Sequence, residues 1–197
     1  MKTRIEHDSL GPKEIPASAY YGSETARALE NYPISGLRFH PSFVWAIAAI
    51  KKAAAQANKD LGRLDSKIAK AIIQASDEVM SGKLSDQFTI DAFQSGAGVS
   101  QHMNTNEVIT NRALEILNYK KGDHTKIHSH DHTNMGQSTN DVIPTALRIA
   151  TIKLLGEFYP ALESLEKAFS QKAKEFAKVI IAVRTHMQDA APITLGQ

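Results

Sequence analysis

The stretch "GQSTNDVIPTALRIA" (residues 136–150) decides the fold, because it opens the longest helical pattern of the chain. From about Asp141 to Lys178, apolar residues recur at spacings of three, four and seven, which is one face of a helix. At 1.5 Å per residue this helix would be on the order of 50 Å long, and so small a chain cannot bury its apolar stripe. We therefore predict a mainly α protein whose long helix belongs to a bundle, completed further along the chain or by other subunits.

Two shorter helices are predicted upstream of the long one. The first starts after Pro41 and ends at Gly62, and the second is capped by Asp65 or Ser66 and stopped by Gly82. The first forty residues are rich in proline and glycine, which predicts a small irregular or β-hairpin arm that wraps in extended form.

Composition excludes several classes of function. The chain has 23 basic and 21 acidic residues, and the basic ones are spread along it, so we expect no nucleic-acid partner. It lacks cysteine, which excludes disulfides and thiolate metal sites. Neither a signal peptide nor an apolar run of about 20 residues is present, so we expect a cytoplasmic protein with no membrane partner.

Polar side chains gather where the long helix begins, at Ser138, Thr139 and Asn140. A helix needs only one such side chain as an N-cap, so capping alone leaves two unexplained. The start of a helix carries free N–H groups and positive partial charge, which suit a carboxylate or phosphate. Both interpretations, a simple cap and an anion site, stay open at this point.

A glycine-rich loop, "GAGVSQHMNTNEV" (residues 96–108), precedes another helical pattern. Its glycines allow the backbone to approach a ligand, and Ser100 is a candidate binding residue. The loop matches neither the phosphate-binding pattern that ends in Gly-Lys-Ser/Thr nor the dinucleotide fingerprint. By itself it is a weak signal.

Two further segments contain histidine. "RTHMQDAAPITLGQ" (residues 184–197) carries Thr185 and His186, and His186 is either a general base or an ordinary structural histidine. "HTKIHSHDHTN" (residues 124–134) invites a zinc interpretation, but its alternate spacing does not place ligands on one helical face. We expect no metal there, because its donors suit a carboxylate better.

Five segments together resemble the aspartase/fumarase superfamily of homotetrameric lyases, in family order and at family spacing. They are "RIEHDSLG", "AYYGSETARALENYPISG", "FQSGAGVSQHMNTNEVITNRALE", "HTNMGQSTNDVIPTALRIA" and "RTHMQDAAPITLGQ". The resemblance runs from Arg4 to Gln197. It implies an N-terminal lyase domain (residues 1–139) and the beginning of a central helical bundle (residues 140–197).

The resemblance also implies a chemistry: reversible elimination across a small dicarboxylate, with no cofactor, through a doubly charged aci-carboxylate intermediate. Preorganised donors stabilise such an intermediate. Residues matching the family's substrate-binding positions are Ser100, Ser138, Thr139, Asn140 and Thr185. His186 would contact substrate or support the base from another subunit, while His128 and Asp131 would form a secondary carboxylate site.

Within the superfamily, "AYYGSET" and "FQSGAGVS" resemble aspartate ammonia-lyases, which make fumarate from L-aspartate. The histidine segment and His186 resemble class II fumarases instead, which interconvert malate and fumarate. The sequence therefore predicts an aspartate ammonia-lyase, with a class II fumarase as the alternative.

The chain departs from the family in three ways. Val99 stands where threonine is usual, and His102 stands where asparagine is usual. The family's loop of the type Gly-Ser-Ser-x-Met-Pro-x-Lys-x-Asn-Pro, which carries the catalytic serine, does not occur in the 197 residues. We expect this chain to be an N-terminal piece, inactive alone; a non-catalytic binding or assembly module is the alternative.

Overall fold

The computed structural model describes residues 2–197 as a mainly helical chain with two β-hairpins. The mainly α prediction is confirmed. The helices are α1 (Ser23–Asn31), α2 (Pro41–Asp60), α3 (Ser66–Met80), α4 (Val99–Ile116) and α5 (Thr139–Glu175). The strands are β1 (Thr3–Asp8), β2 (Gly11–Pro16), β3 (Ile180–Thr185) and β4 (Gln188–Thr194).

The N-terminal arm is an antiparallel hairpin of β1 and β2, followed by α1. The hairpin was predicted, but the extended chain expected after it was wrong, because α1 forms there. The carboxylate of Glu107 on α4 accepts the N–H groups of Gly22, Glu24 and Thr25 at 2.8, 2.9 and 3.1 Å. This distant residue satisfies the free donors at the start of α1.

Local capping sets the ends of α2 and α3 as predicted. Helix α2 ends at Asp60, just before Gly62 turns the chain with φ +69°. The Asp65 side chain accepts the N–H groups of Lys67 and Ile68 at 2.8 and 3.1 Å, which caps α3. Gly82, with φ +83°, follows its last residues.

Helix α4 lies at the centre of the core formed with α2 and α3. Its apolar side chains Val108, Ile109, Ala113 and Leu114 have no solvent exposure. The same helix buries many polar side chains: Ser100, Gln101, His102, Asn104, Thr105, Asn106, Glu107, Thr110 and Asn111. Some of them hydrogen-bond inside the core, as Thr110 does with Thr133 at 2.6 Å, whereas neither polar atom of the Gln101 side chain has a partner within residues 2–197.

The chain divides into two compact units, Met1–Thr151 and Ile152–Gln197. In the first, the initial turns of α5 pack against α2 through Val142, Ile143 and Ala146. The second contains the rest of α5 and the hairpin of β3 and β4, and none of its residues is buried. The predicted division into domains after residue 139 stays a prediction.

The β3–β4 hairpin was not predicted, since the residues after Arg184 were expected to form a loop. Thr185 pairs with Gln188, so His186 and Met187 form a two-residue turn with φ +51° and +63°. Such turns usually contain asparagine or glycine, and this pair gave no signal. No helix in the described residues is long and apolar enough to cross a membrane.

Candidate active site

Ser138 is the N-cap of α5. Its carbonyl accepts the N–H of Val142 at 3.0 Å, and its Oγ accepts the N–H of Asn140 at 3.2 Å. This is the normal contact of a capping serine. One of the three polar residues at the helix start is therefore explained by capping.

Thr139 and Asn140 do not act as caps. The Oγ1 of Thr139 lies 2.7 Å from Nδ1 of His102 on α4, and the half-buried side chain keeps access to solvent. Asn140 is exposed. Two hydrogen-bonding side chains therefore flank the positive end of a long helix, where they can meet an anion.

The glycine-rich loop brings the start of α4 next to the start of α5. Ala97 and Gly98 adopt left-handed conformations with φ +61° and +79°. A Cβ added at Gly98 would lie 3.2 Å from Ile143 of α5, so glycine allows the close approach. Ser100, in the first turn of α4, is buried, with its Oγ 3.0 Å from the Oγ of Ser95.

The two departures from the family pattern have different environments. Val99 is 41% exposed, so the missing hydroxyl would lie at the surface of this chain. His102 is buried at 1% exposure and contacts both Thr139 and Lys51. Burial and the charge of Lys51 lower the pKa of His102 to about 3, so the imidazole is neutral near neutral pH.

Lys51 is the main residue of this region that sequence reasoning missed. Its Nζ lies 2.7 Å from His102 Nε2, 2.8 Å from Asn134 Oδ1 and 2.9 Å from Gln137 Oε1. The side chain has no solvent exposure, and burial lowers its pKa to about 7. The sequence did contain a sign that Lys51 is buried. Lys51 lies four residues after the buried Ile47, so both side chains are on the same face of α2.

The histidine segment forms a π-helical turn, Ser129–Thr133. The Nδ1 of His128 lies 3.5 Å from Asp131 Oδ2, and burial lowers the pKa of His128. His130 Nε2 lies 2.5 Å from Glu24 Oε1, and this hydrogen bond raises the pKa of His130. Within residues 2–197, no group of three or more His, Asp or Glu side chains is arranged to hold a metal ion.

A cavity of about 530 Å³ connects two of the predicted site regions. Ser100 and His128 both line it, together with the charged side chains Glu24 and Arg27 and with His130. The carboxylate of Asp8 accepts two hydrogen bonds from Arg27 at 2.8 and 3.1 Å, which holds the guanidinium on the cavity wall. The cavity is large enough for a small organic anion.

Thr185 and His186 belong to the second unit, at the tip of the β3–β4 hairpin. Both side chains are exposed. Left-handed backbone at a non-glycine residue is unfavourable, so the turn holds His186 at the tip in a strained conformation. His186 therefore lies on the surface of this chain and not in a core.

A family model described as "Lyase" matches residues 11–197 of the chain. An aspartate ammonia-lyase of Bacillus subtilis is 53% identical over 194 residues, which cover 98% of this chain and 41% of that protein. A class II fumarate hydratase of Halobacterium salinarum is 51% identical over 195 residues, again covering 98% and 41%. The chain thus spans about two fifths of the length of these relatives.

Solved structures show the same likeness. A crystal structure described as fumarate lyase:delta crystallin from Brucella melitensis, bound to cobalt, is 49% identical with a TM-score of 0.90, covering 99% of this chain and 43% of that one. A class II fumarase from Schistosoma mansoni is 37% identical with a TM-score of 0.88, covering 99% and 41%. Since family model, sequence relatives and structures agree over nearly the whole chain, it belongs to the aspartase/fumarase superfamily of lyases.

Proposed function

We propose that the full-length enzyme containing this chain is an aspartate ammonia-lyase, which reversibly eliminates ammonia from L-aspartate to give fumarate. The observation that carries the proposal is the start of α5. Ser138 caps the helix there, while Thr139 and Asn140 are left to bind a carboxylate at its positive end.

In this reaction a base removes the proton next to one carboxylate, and ammonia leaves from the neighbouring carbon. Negative charge then accumulates on the carboxylate as the aci-carboxylate forms. Thr139, Asn140 and Ser100 supply donors to it, as does Ser138, whose oxygen caps the helix while its hydroxyl proton stays free. Preorganised donors act most strongly where charge develops. Thr185 and His186 reach the substrate of another subunit from the exposed hairpin tip, where His186 contacts substrate or supports the base.

The choice of aspartate as substrate is supported by the segments "AYYGSET" and "FQSGAGVS" and by two Bacillus aspartate ammonia-lyases at 53% and 51% identity. A class II fumarase is the second candidate. It is supported by the Halobacterium fumarate hydratase at 51% identity and by the proximity of His128 to Asp131, the pair assigned to a secondary carboxylate site.

The enzyme we propose is a cytoplasmic homotetramer that needs no cofactor. Large apolar side chains of α5 in the second unit are exposed at helical spacing: Leu154, Phe158, Leu162, Leu165 and Phe169. A continuous stripe of this kind is typical of a surface that other helices cover. Assembly into a bundle would also bring hairpin tips to neighbouring subunits.

The test is fumarate formation by the full-length enzyme, followed by ultraviolet absorbance with L-aspartate and then with L-malate. We expect fumarate from aspartate. Asn140→Asp should reduce the rate by at least about a hundredfold, because it places a negative charge against the substrate carboxylate. Glu163→Gln, an exposed α5 residue, serves as the matched control. Fumarate from malate alone would instead establish the fumarase candidate.

A further inference from the structure

Whether Thr139 can donate to a substrate depends on its hydrogen bond to His102. A threonine hydroxyl has one proton, and it can give this proton to Nδ1 of the imidazole or accept a proton from it. Only in the second arrangement is the hydroxyl proton available to a ligand. The 2.7 Å distance between Thr139 Oγ1 and His102 Nδ1 fits both.

Lys51 resolves this choice through its three partners. A lysine ammonium has three protons and no lone pair, and Nζ has the amide oxygens of Asn134 and Gln137 and the Nε2 of His102 within 2.9 Å. Both amide orientations are fixed, because Asn134 Nδ2 donates to the Gln137 carbonyl and Gln137 Nε2 donates to the Thr133 carbonyl. Nε2 of His102 must therefore accept the third proton.

The neutral imidazole then carries its own proton on Nδ1 and donates it to Thr139 Oγ1. This is the one hydrogen bond that the Thr139 hydroxyl makes within residues 2–197, so its own proton is free to point outward. Resting on the proposed function, we propose that Lys51 and His102 are positioning residues that direct the hydroxyl proton of Thr139 toward the substrate carboxylate.

Charge supports the same arrangement. In the part of the chain that the structure describes, Lys51 makes no ion pair. The acids of the neighbouring α3 are engaged elsewhere, Asp77 with Lys52 and Glu78 with Arg112 and Lys83. The titratable group facing Lys51 from α4 is His102, and the charge of His130 from the π-helical turn acts on His102. A carboxylate at Thr139 supplies the missing counter-charge.

A pH dependence follows. When Lys51 loses a proton, two N–H groups remain for three acceptors, and the amine gains a lone pair that can accept from Nε2–H. His102 then changes tautomer, Nδ1 becomes an acceptor, and the Thr139 proton turns away from the ligand. Because burial lowers the pKa of Lys51 to about 7, carboxylate binding weakens as the pH rises through that region.

The test uses the full-length enzyme and succinate, a dicarboxylate without a leaving group, with binding measured by calorimetry. The wild-type enzyme should bind succinate about tenfold more weakly at about pH 8.5 than at about pH 6.5, the cost of one hydrogen bond to a charged group. Succinate is ionised at both pH values, so the change belongs to the protein.

Two substitutions of His102 separate its two contacts. His102→Gln keeps an acceptor for Lys51 but places nothing at the position of Nδ1, whereas His102→Asn keeps a donor for Thr139 and loses the contact with Lys51. We expect His102→Asn to bind succinate about tenfold more tightly than His102→Gln, and to lose the pH dependence. A purely structural role for His102 would affect both variants alike.

Lys51→Met removes the ammonium and retains most of its volume, while Lys52→Met changes the exposed neighbour as a control. Binding by Lys51→Met should be weak and independent of pH, with Lys52→Met within about twofold of the wild type. If Lys51→Met does not fold, the two His102 variants still test the proposal. If the two His102 variants bind succinate equally well, or if binding by the wild type does not depend on pH, the positioning role of Lys51 and His102 is wrong while the proposed function stands. If the wild type binds no succinate at either pH, the proposed function is wrong as well.

Discussion

Helix α4 and the portion of α5 that lies in the second unit differ in what they bury. In α4 even Asn104, Thr105 and Asn106 have no solvent exposure, whereas Phe169 of α5 is 67% exposed. The first unit thus buries polar side chains, among them His102, which contacts Thr139 of the candidate site. The second unit exposes apolar surface, which stays in contact with water unless other helices cover it. Substitutions in the two regions should therefore have different effects. Those in the first unit should destabilise the fold, and those in the second should disrupt assembly.

The largest effect is expected for the apolar stripe of α5. Leu162→Glu combined with Leu165→Glu should abolish the proposed tetramer and the proposed activity of the full-length enzyme, because two charges would be buried in the bundle. Sedimentation velocity measures the change. Glu163→Gln is the matched control, and a double variant that sediments as the wild type would show that the stripe is not an interface.

Gly22 tests close packing in the first unit. A Cβ at this position would lie 2.6 Å from Glu6 Oε2 and 2.7 Å from Glu107 Oε1, both buried. Gly22→Ala should therefore lower the free energy of unfolding by about 3 kcal/mol. In the second unit nothing lies within 4 Å of a Cβ at Gly156, and Gly156→Ala should stabilise by about 0.5–1 kcal/mol. If chemical denaturation shows that both variants are stabilised, or that both are destabilised, the two units do not differ in packing in this way.

A substitution at Glu107 should have a smaller effect on the polar interior of the first unit. Glu107→Gln keeps the shape of the side chain but places an NH₂ group against N–H donors of Gly22, Glu24 or Thr25. We expect a loss of about 1–3 kcal/mol in the free energy of unfolding, measured by urea denaturation. Glu163→Gln in the second unit should change it by about 0.5 kcal/mol or less. A Glu107→Gln variant as stable as wild type would mean that Glu107 does not anchor α1.

The smallest effect is a pH dependence at the pair of Glu6 and His124, whose Oε2 and Nε2 atoms lie 3.2 Å apart. The hydrogen bond to Glu6 raises the pKa of His124, so its stabilisation is complete below about pH 6.5 and is lost as pH rises through the folded pKa. Burial opposes ionisation of Glu6, yet bonds from His124 and Arg4 leave the pKa of Glu6 lowered, and its contribution is lost as pH falls below about 4.5.

Stability against pH should accordingly be highest between about pH 4.5 and 6.5 as far as this pair is concerned. His124→Gln should reduce the decline above about pH 6.5, while His186→Gln at the exposed hairpin tip should leave it in place. The part that remains belongs to His130, whose pKa the contact with Glu24 also raises. Thermal unfolding across this range is the measurement, and an undiminished decline in His124→Gln would show that the pair of Glu6 and His124 does not cause it.

The sequence predicted elements whose determinants are local. Asp65 caps α3 through backbone groups two and three residues away, and Gly62 turns the chain directly after α2. Helix α1 was missed because its free N–H groups are satisfied by Glu107, more than eighty positions distant. The β3–β4 turn was missed because His186 and Met187 adopt a conformation that their side chains do not favour.

The residues of the candidate site likewise divide into those with local determinants and those that depend on distant contacts. Ser138 could be recognised as a cap and Thr139 as a candidate ligand from their position at a helix start. The partner of Thr139, however, lies 37 residues away on α4, and His102 in turn depends on Lys51 a further 51 residues from it. The sequence marked His102 as a departure from the family pattern, but only the fold shows what it contacts.

We propose that a substrate carboxylate binds at the start of α5, with Thr139 donating. A crystal structure of the full-length enzyme with succinate bound tests this proposal. We expect a carboxylate oxygen within about 3 Å of Thr139 Oγ1 and close to the Asn140 side chain. Succinate bound elsewhere, with Thr139 and Asn140 facing only water, would contradict it.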